Sequence, residues 1–80
     1  MPNPPSNPQE IAEAGERIFR EKYQERAEEQ HTGKFLAINV RTEEAFLGHV
    51  QEEALRRARD TDPQGLFHLV RIGSAGPSRQ

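Results

Sequence analysis

Lys34-Phe35-Leu36-Ala37-Ile38-Asn39-Val40 is where the chain changes rhythm. Leu36, Ile38 and Val40 alternate with Phe35, Ala37 and Asn39, so the segment reads as a strand with apolar side chains on both faces. Such a strand needs cover above and below, which makes it the centre of a sheet. Downstream, residues 41–44 are polar and of turn length. Residues 44–48 give a second short strand carrying Phe46 and Leu47. The close spacing predicts a hairpin, although Thr42-Glu43 lacks the glycine that tight hairpin turns favour. A helix follows over residues 50–60, with Val50, Ala54, Leu55 and Ala58 inward and the pairs Glu52→Arg56 and Glu53→Arg57 in water. Asp62-Pro63-Gln64-Gly65 is a turn, and residues 66–72 form the third strand.

Upstream, Asn7 suits a helix N-cap, Pro8 the first helical position and Glu10 the capping-box position. Ser6 with Gln9 offers a second frame one residue earlier. The apolar positions Ile11, Ala14, Gly15, Ile18, Phe19 and Tyr23, with Lys22, recur at helical spacing, while Glu13→Arg17 and Glu16→Arg20 stabilise the wet side. This stripe is narrow and weakens after Tyr23, so the helix is expected to fray over residues 28–30. His31-Thr32-Gly33 ends it, with Gly33 as a left-handed cap. Residues 1–8, with four prolines, read as a disordered arm, and residues 73–80, rich in Gly, Ser and Pro, as a disordered tail. Residues 9–72 are one domain of order α-β-β-α-β. The expected fold is α+β, a three-stranded, mostly antiparallel sheet of order 2-1-3 packed with two helices.

Eighty residues with 32% hydrophobic side chains, 30% charged side chains and a net charge of −2 exclude several classes. No apolar run is long enough to span a bilayer, and the lack of cysteine removes disulfide scaffolds and thiolate metal sites. All the Leu, Ile, Val and Phe residues fall between Ile11 and Ile72, so the low apolar content belongs partly to the two ends. Residues 1–8 show neither the positive nor the apolar region of a signal peptide, which gives the expectation of a cytoplasmic protein.

The stretch from Gly33 to Val40, then Phe46-Leu47-Gly48, Glu53-Ala54-Leu55, Ala58-Arg59 and the closing Phe67-His68-Leu69-Val70-Arg71-Ile72-Gly73 resemble a family of small, uncharacterised bacterial α-β-β-α-β proteins. The similarity covers roughly residues 11–73, and its motifs are structural. Here Thr42-Glu43 stands where such proteins usually place a glycine, and His49-Val50 where they often place an acidic or hydroxyl cap. The resemblance implies a small accessory or interaction protein, some of which are encoded beside small aspartic proteases. It brings no catalytic residue.

Chemistry-bearing residues do not converge. Ser6, Ser74 and Ser78 lie in the ends, and Thr32, Thr42 and Thr61 have no neighbouring base at a useful spacing; no enzyme is expected. His31, His49 and His68 are scattered, without the three or four converging ligands of a metal site. Residues 60–65 imitate the start of a calcium loop, but Arg71 stands where the bidentate glutamate belongs. Gly73-Ser74-Ala75-Gly76 follows a strand without a helix to cradle phosphate. No cofactor is expected. Arg56, Arg57 and Arg59 suit the carboxyl end of a helix.

The informative feature is the second sheet face. If Leu36, Ile38, Val40, Val70 and Ile72 face one way, Phe35, Ala37, Phe67 and Leu69 face the other, and Phe46 joins them in one hairpin register. Arg71 and Arg41 share that parity. Phe35, Phe46, Phe67 and Arg71 are therefore the candidate interaction residues. Helix one covers this face, or a second copy or another protein does. The alternative function is a nucleic-acid-binding module that stacks bases on the same face with Lys34 and Arg41. The acidic balance and the lack of a basic stripe disfavour it.

Overall fold

The computed structural model describes residues 7–73. The arm expected over residues 1–8 lies almost wholly outside the described residues, as does the tail beyond Gly73. Helix α1 (Pro8–Ile18) starts in the Asn7 frame: the Asn7 side chain accepts the Glu10 N–H at 2.9 Å, and Pro8 occupies the first turn. The helical run continues through a π turn (Phe19–Tyr23) into α2 (Gln24–Gln30) without a break. Instead of fraying, the rod stays regular to Gln30 and buries Ala27. Phe19, Tyr23 and Ala27 step by four residues, which drifts round a helix of 3.6 residues per turn. One wider π turn takes up the extra residue and keeps all three on the sheet side. Gly33 then turns the chain at φ +90°, and the Thr32 hydroxyl donates to the Glu28 carbonyl at 2.6 Å.

The sheet contains β1 (Phe35–Asn39), β2 (Ala45–Gly48) and β3 (Phe67–Arg71), with α3 (Gln51–Thr61) between the last two. Its order is β2-β1-β3 and both pairings are antiparallel. The fold is therefore α+β with the expected topology.

Helix one, one of the covers expected for the phenylalanine face, lies on the other side of the sheet. The rod covers Leu36, Ile38, Val40, Val70 and Ile72 with Ala14, Ile18, Phe19 and Ala27. Helix α3 covers the phenylalanine face, setting Ala54 and Ala58 over Ala37, all three fully buried. Size decides this pairing. The rod brings large side chains to a face of aliphatic residues, whereas the alanines of α3 fit between rings on the strands. Val50, expected inward, is 56% exposed, because it is the extended N-cap of α3 rather than part of its buried stripe.

The rod approaches β3 closely at one point. A Cβ on Gly15 would lie 2.3 Å from the His68 Cβ. The missing side chain lets His68 lie against the helix, where its Nε2 meets Glu16 Oε2 at 2.8 Å.

The turn after β1 is organised by Asn39, which is fully buried. Its Oδ1 accepts the N–H groups of Arg41 at 2.9 Å and Thr42 at 3.3 Å, and its Nδ2 donates to Asp62 Oδ2 at 2.9 Å. The turn has no glycine; Glu43 takes the left-handed conformation at φ 68°. Contacts from the rod hold it there. Lys22 Nζ meets the Glu43 carboxylate at 3.0 Å, and the Tyr23 hydroxyl donates to the Glu43 carbonyl. That carboxylate raises the Lys22 pKa above its ordinary value, through the hydrogen bond first and the charge second.

Candidate interaction face

Three cross-strand rows form the face beneath α3. Phe35 lies opposite Gly48 of β2 and opposite Arg71 of β3. Ala37 lies between Phe46 and Leu69, and Asn39 lies opposite Phe67. The register thus puts Phe46 on the face with Phe35, Phe67 and Arg71. Phe35 and Arg71 are direct neighbours, whereas Phe46 stands on the far strand and Phe67 at the other end of β3. Arg41 is not on this face: β1 ends at Asn39, and Arg41 is an exposed residue of the turn.

Helix α3 does not close the face. It leans over β2 and β1 more than over β3, and Phe35, Phe46, Phe67 and Leu69 remain half-buried. The part of β3 that carries Phe67, Leu69 and Arg71 is the least covered strip. Arg71 is exposed and makes neither a hydrogen bond nor an ion pair among the described residues.

The same three residues present the free backbone of β3. The Val40 N–H donates to the Leu66 carbonyl and the Ile72 N–H to the Lys34 carbonyl, each at 2.9 Å. Antiparallel ladders use alternate residues on each side. Even-numbered positions of β3 therefore bond β1, while Phe67, Leu69 and Arg71 turn their N–H and C=O groups outward. On β2 the Asn39 N–H donates to the Glu44 carbonyl at 2.8 Å, which leaves only Ala45 and Leu47 outward. The β3 edge carries no proline, and its one charged residue, Arg71, stands at the end of the strand.

Beside this edge, on the rod side, runs a groove of about 330 Å³ lined by Glu16, Phe19, Arg20, Gln24, Glu28 and residues 69–71 and 73. Arg20 faces it without an ion pair among the described residues. A shallower hollow of about 250 Å³ lies between Tyr23, His31, Leu36 and Leu47.

The three histidines sit apart. His68 is held by Glu16 on the rod side. His49 precedes α3, where the Glu53 carboxylate accepts both its backbone N–H at 2.6 Å and a contact from its ring Nδ1 at 3.2 Å. Glu53 thus ties the residue before the N-cap back to the first turn of α3, while Val50 itself gives no side-chain cap. The Glu53 pKa is lowered, chiefly by the His49 N–H, then by the His49 ring, with Arg57 contributing charge. His31 buries an Nδ1 that finds no hydrogen-bond partner among the described residues. Among the described residues no group of three or more His, Asp or Glu side chains could hold a metal ion, and no helix is long and apolar enough to cross a membrane. Comparison with known protein families, curated proteins and solved structures finds no match.

Residue spacing did not disclose the free β3 backbone or the pairing of Gly15 with His68. The first needs the strand order, and the second needs the register between helix and sheet. A sequence signal for Asn39 did exist, since an asparagine closing an apolar strand before a polar turn is a common way to bind the next two N–H groups.

Proposed function

We propose that the chain is a non-enzymatic protein-interaction module, working in the cytoplasm as an accessory protein of the small α-β-β-α-β type. Phe35, Phe46, Phe67 and Arg71 belong to its contact surface. The observation that carries the reading is the β3 edge. Outward backbone groups at Phe67, Leu69 and Arg71 coincide there with the half-buried rings that α3 leaves uncovered. A partner strand laid along that edge gains main-chain hydrogen bonds and covers apolar surface in one step. The face offers a nucleic acid little, because α3 occupies its middle and Arg41 stands away from it.

A photo-cross-linking residue placed at Arg71 tests the reading in the chain's native cells, with the same residue at Glu13 as control. A protein adduct from position 71 and none from position 13 is the expected result. Absence of a protein adduct from position 71, or an adduct to RNA, overturns it.

A further inference from the structure

We propose that the partner at this edge is a second copy of the same chain, joined β3 to β3 about a two-fold axis through Leu69, so that two three-stranded sheets become one of six. This rests on the interaction reading above and commits it to one occupant.

Self-complementarity is the argument. Phe67–Arg71 is a strand of 5 residues with Leu69 at its centre. An antiparallel copy aligned over its full length sets Leu69 against its own counterpart and Phe67 against the partner's Arg71. All three outward positions then meet outward positions, and each opposed pair exchanges two backbone hydrogen bonds, about six in total. No other alignment matches as many, and one shifted to oppose Arg71 with itself would set like charges together.

The side chains agree with the backbone. On the α3 side, Arg71 stands opposite Phe35 of its own sheet. In the dimer its guanidinium also reaches Phe67 across the seam, and the arginine left without a polar partner becomes flanked by two rings. Leu69 meets Leu69, which removes from water the strip that α3 leaves uncovered. On the rod side the two grooves merge, and Arg20 of one copy comes towards the acidic flank that holds Glu16 and Glu28 in the other. The alternative edge is poorer: β2 is 4 residues long and offers two outward positions. The size of the chain fits as well, because among the described residues the fully buried apolar side chains of its α3-side layer are three alanines, and small domains commonly complete a thin core by association.

The chain contains no cysteine, so a single introduced thiol reports the register directly. Positions 69 and 69 of a hydrogen-bonded pair would stand about 5.5 Å apart at Cα, within disulfide range. Under mild oxidation Leu69→Cys should form a covalent dimer, and Leu47→Cys on the opposite edge should not. In sedimentation equilibrium the wild-type chain should move from 9.1 kDa towards twice that mass as concentration rises. Arg71→Ala, at an exposed position, should keep its circular dichroism and weaken the dimer about 5- to 30-fold, from two symmetry-related cation–π contacts. Arg71→Glu combined with Phe67→Lys should dimerise better than Arg71→Glu alone, since the two altered positions oppose each other only across the seam. A wild-type chain that stays at 9.1 kDa up to millimolar concentration, or a Leu47→Cys chain that cross-links as fully as Leu69→Cys, overturns the proposal. A monomer that still gives a cross-link from position 71 to a different protein sinks the second copy and leaves the interaction reading intact.

Discussion

Gly15→Ala sets two effects against each other. In an exposed helix the exchange stabilises by about 1 kcal/mol. At Gly15 the new methyl would stand 2.3 Å from the His68 Cβ and 2.6 Å from its Cγ and Cδ2. Carbon atoms settle at about 3.5–4.0 Å, so the rod must retreat from β3 by more than an ångström. The Cβ of His68 is fixed to the strand and no rotamer removes it. Retreat loosens Ile18 and Phe19 over Val70 and Ile72 and stretches the 2.8 Å contact between Glu16 and His68. Overpacking costs about 1–3 kcal/mol and a lost hydrogen bond about 0.5–1.5 kcal/mol. Packing therefore wins, and the variant should be destabilised by about 1–3 kcal/mol net. For a domain of this size each kcal/mol lowers Tm by about 4–8 °C. Urea unfolding followed by circular dichroism measures the change, and a cycle with His68→Gly isolates the contact. In the His68→Gly background the same exchange should cost little or stabilise. A Gly15→Ala chain more stable than wild type by about 1 kcal/mol would refute the close approach of rod and sheet.

Asn39→Ala should cost about 2–4 kcal/mol in the same unfolding assay, because it removes three part-buried hydrogen bonds, one of them to the Asp62 carboxylate, made by a fully buried side chain; a cost under about 0.5 kcal/mol would contradict its organising role. Glu43→Gly should be near neutral, since relief of the left-handed backbone at φ 68° offsets the exposed Lys22 pair, whereas Glu43→Val should be clearly destabilising. Glu53 is held below its ordinary pKa, so its contribution is present above the unfolded value and is lost as pH falls through the folded one. Wild type should therefore exceed Glu53→Gln in stability at neutral pH, and the gap should close below about pH 4. Lys22 has the opposite sign: its raised pKa makes a contribution that is full below the unfolded value. A titration of stability against pH should show it disappearing from about pH 10 upward, and not in Lys22→Met.

The order of elements, the sheet order and the two faces of β1 are legible in the sequence because alternation in Phe35–Asn39 is a local property of the chain. Assignment of a helix to each face is not local. It depends on the match between the bulk of Ile18 and Phe19, the smallness of Ala54 and Ala58, and the rings on the strands. The π turn is hidden for a related reason. Tyr23 and Ala27 stay on the sheet side only once an extra residue is absorbed, and part of what makes that worthwhile is the distant turn at Glu43, whose carbonyl accepts the Tyr23 hydroxyl. Phe35, Phe67 and Arg71 could be put on one face by counting in twos, and Phe46 followed once Ala37 was paired with it. That β3 is an edge with a free backbone emerged only from the pairing of all three strands.

Amide hydrogen exchange of Phe67, Leu69 and Arg71 at low and high protein concentration tests the central claim most directly. These N–H groups have no partner within the sheet of one chain, whereas the Ile72 N–H is bonded to Lys34 at 2.9 Å. A β3-to-β3 dimer predicts protection of Phe67, Leu69 and Arg71 that rises with concentration, while Ile72 stays protected throughout. Rapid exchange of Phe67, Leu69 and Arg71 at every concentration, in the presence of a protected Ile72, would contradict it.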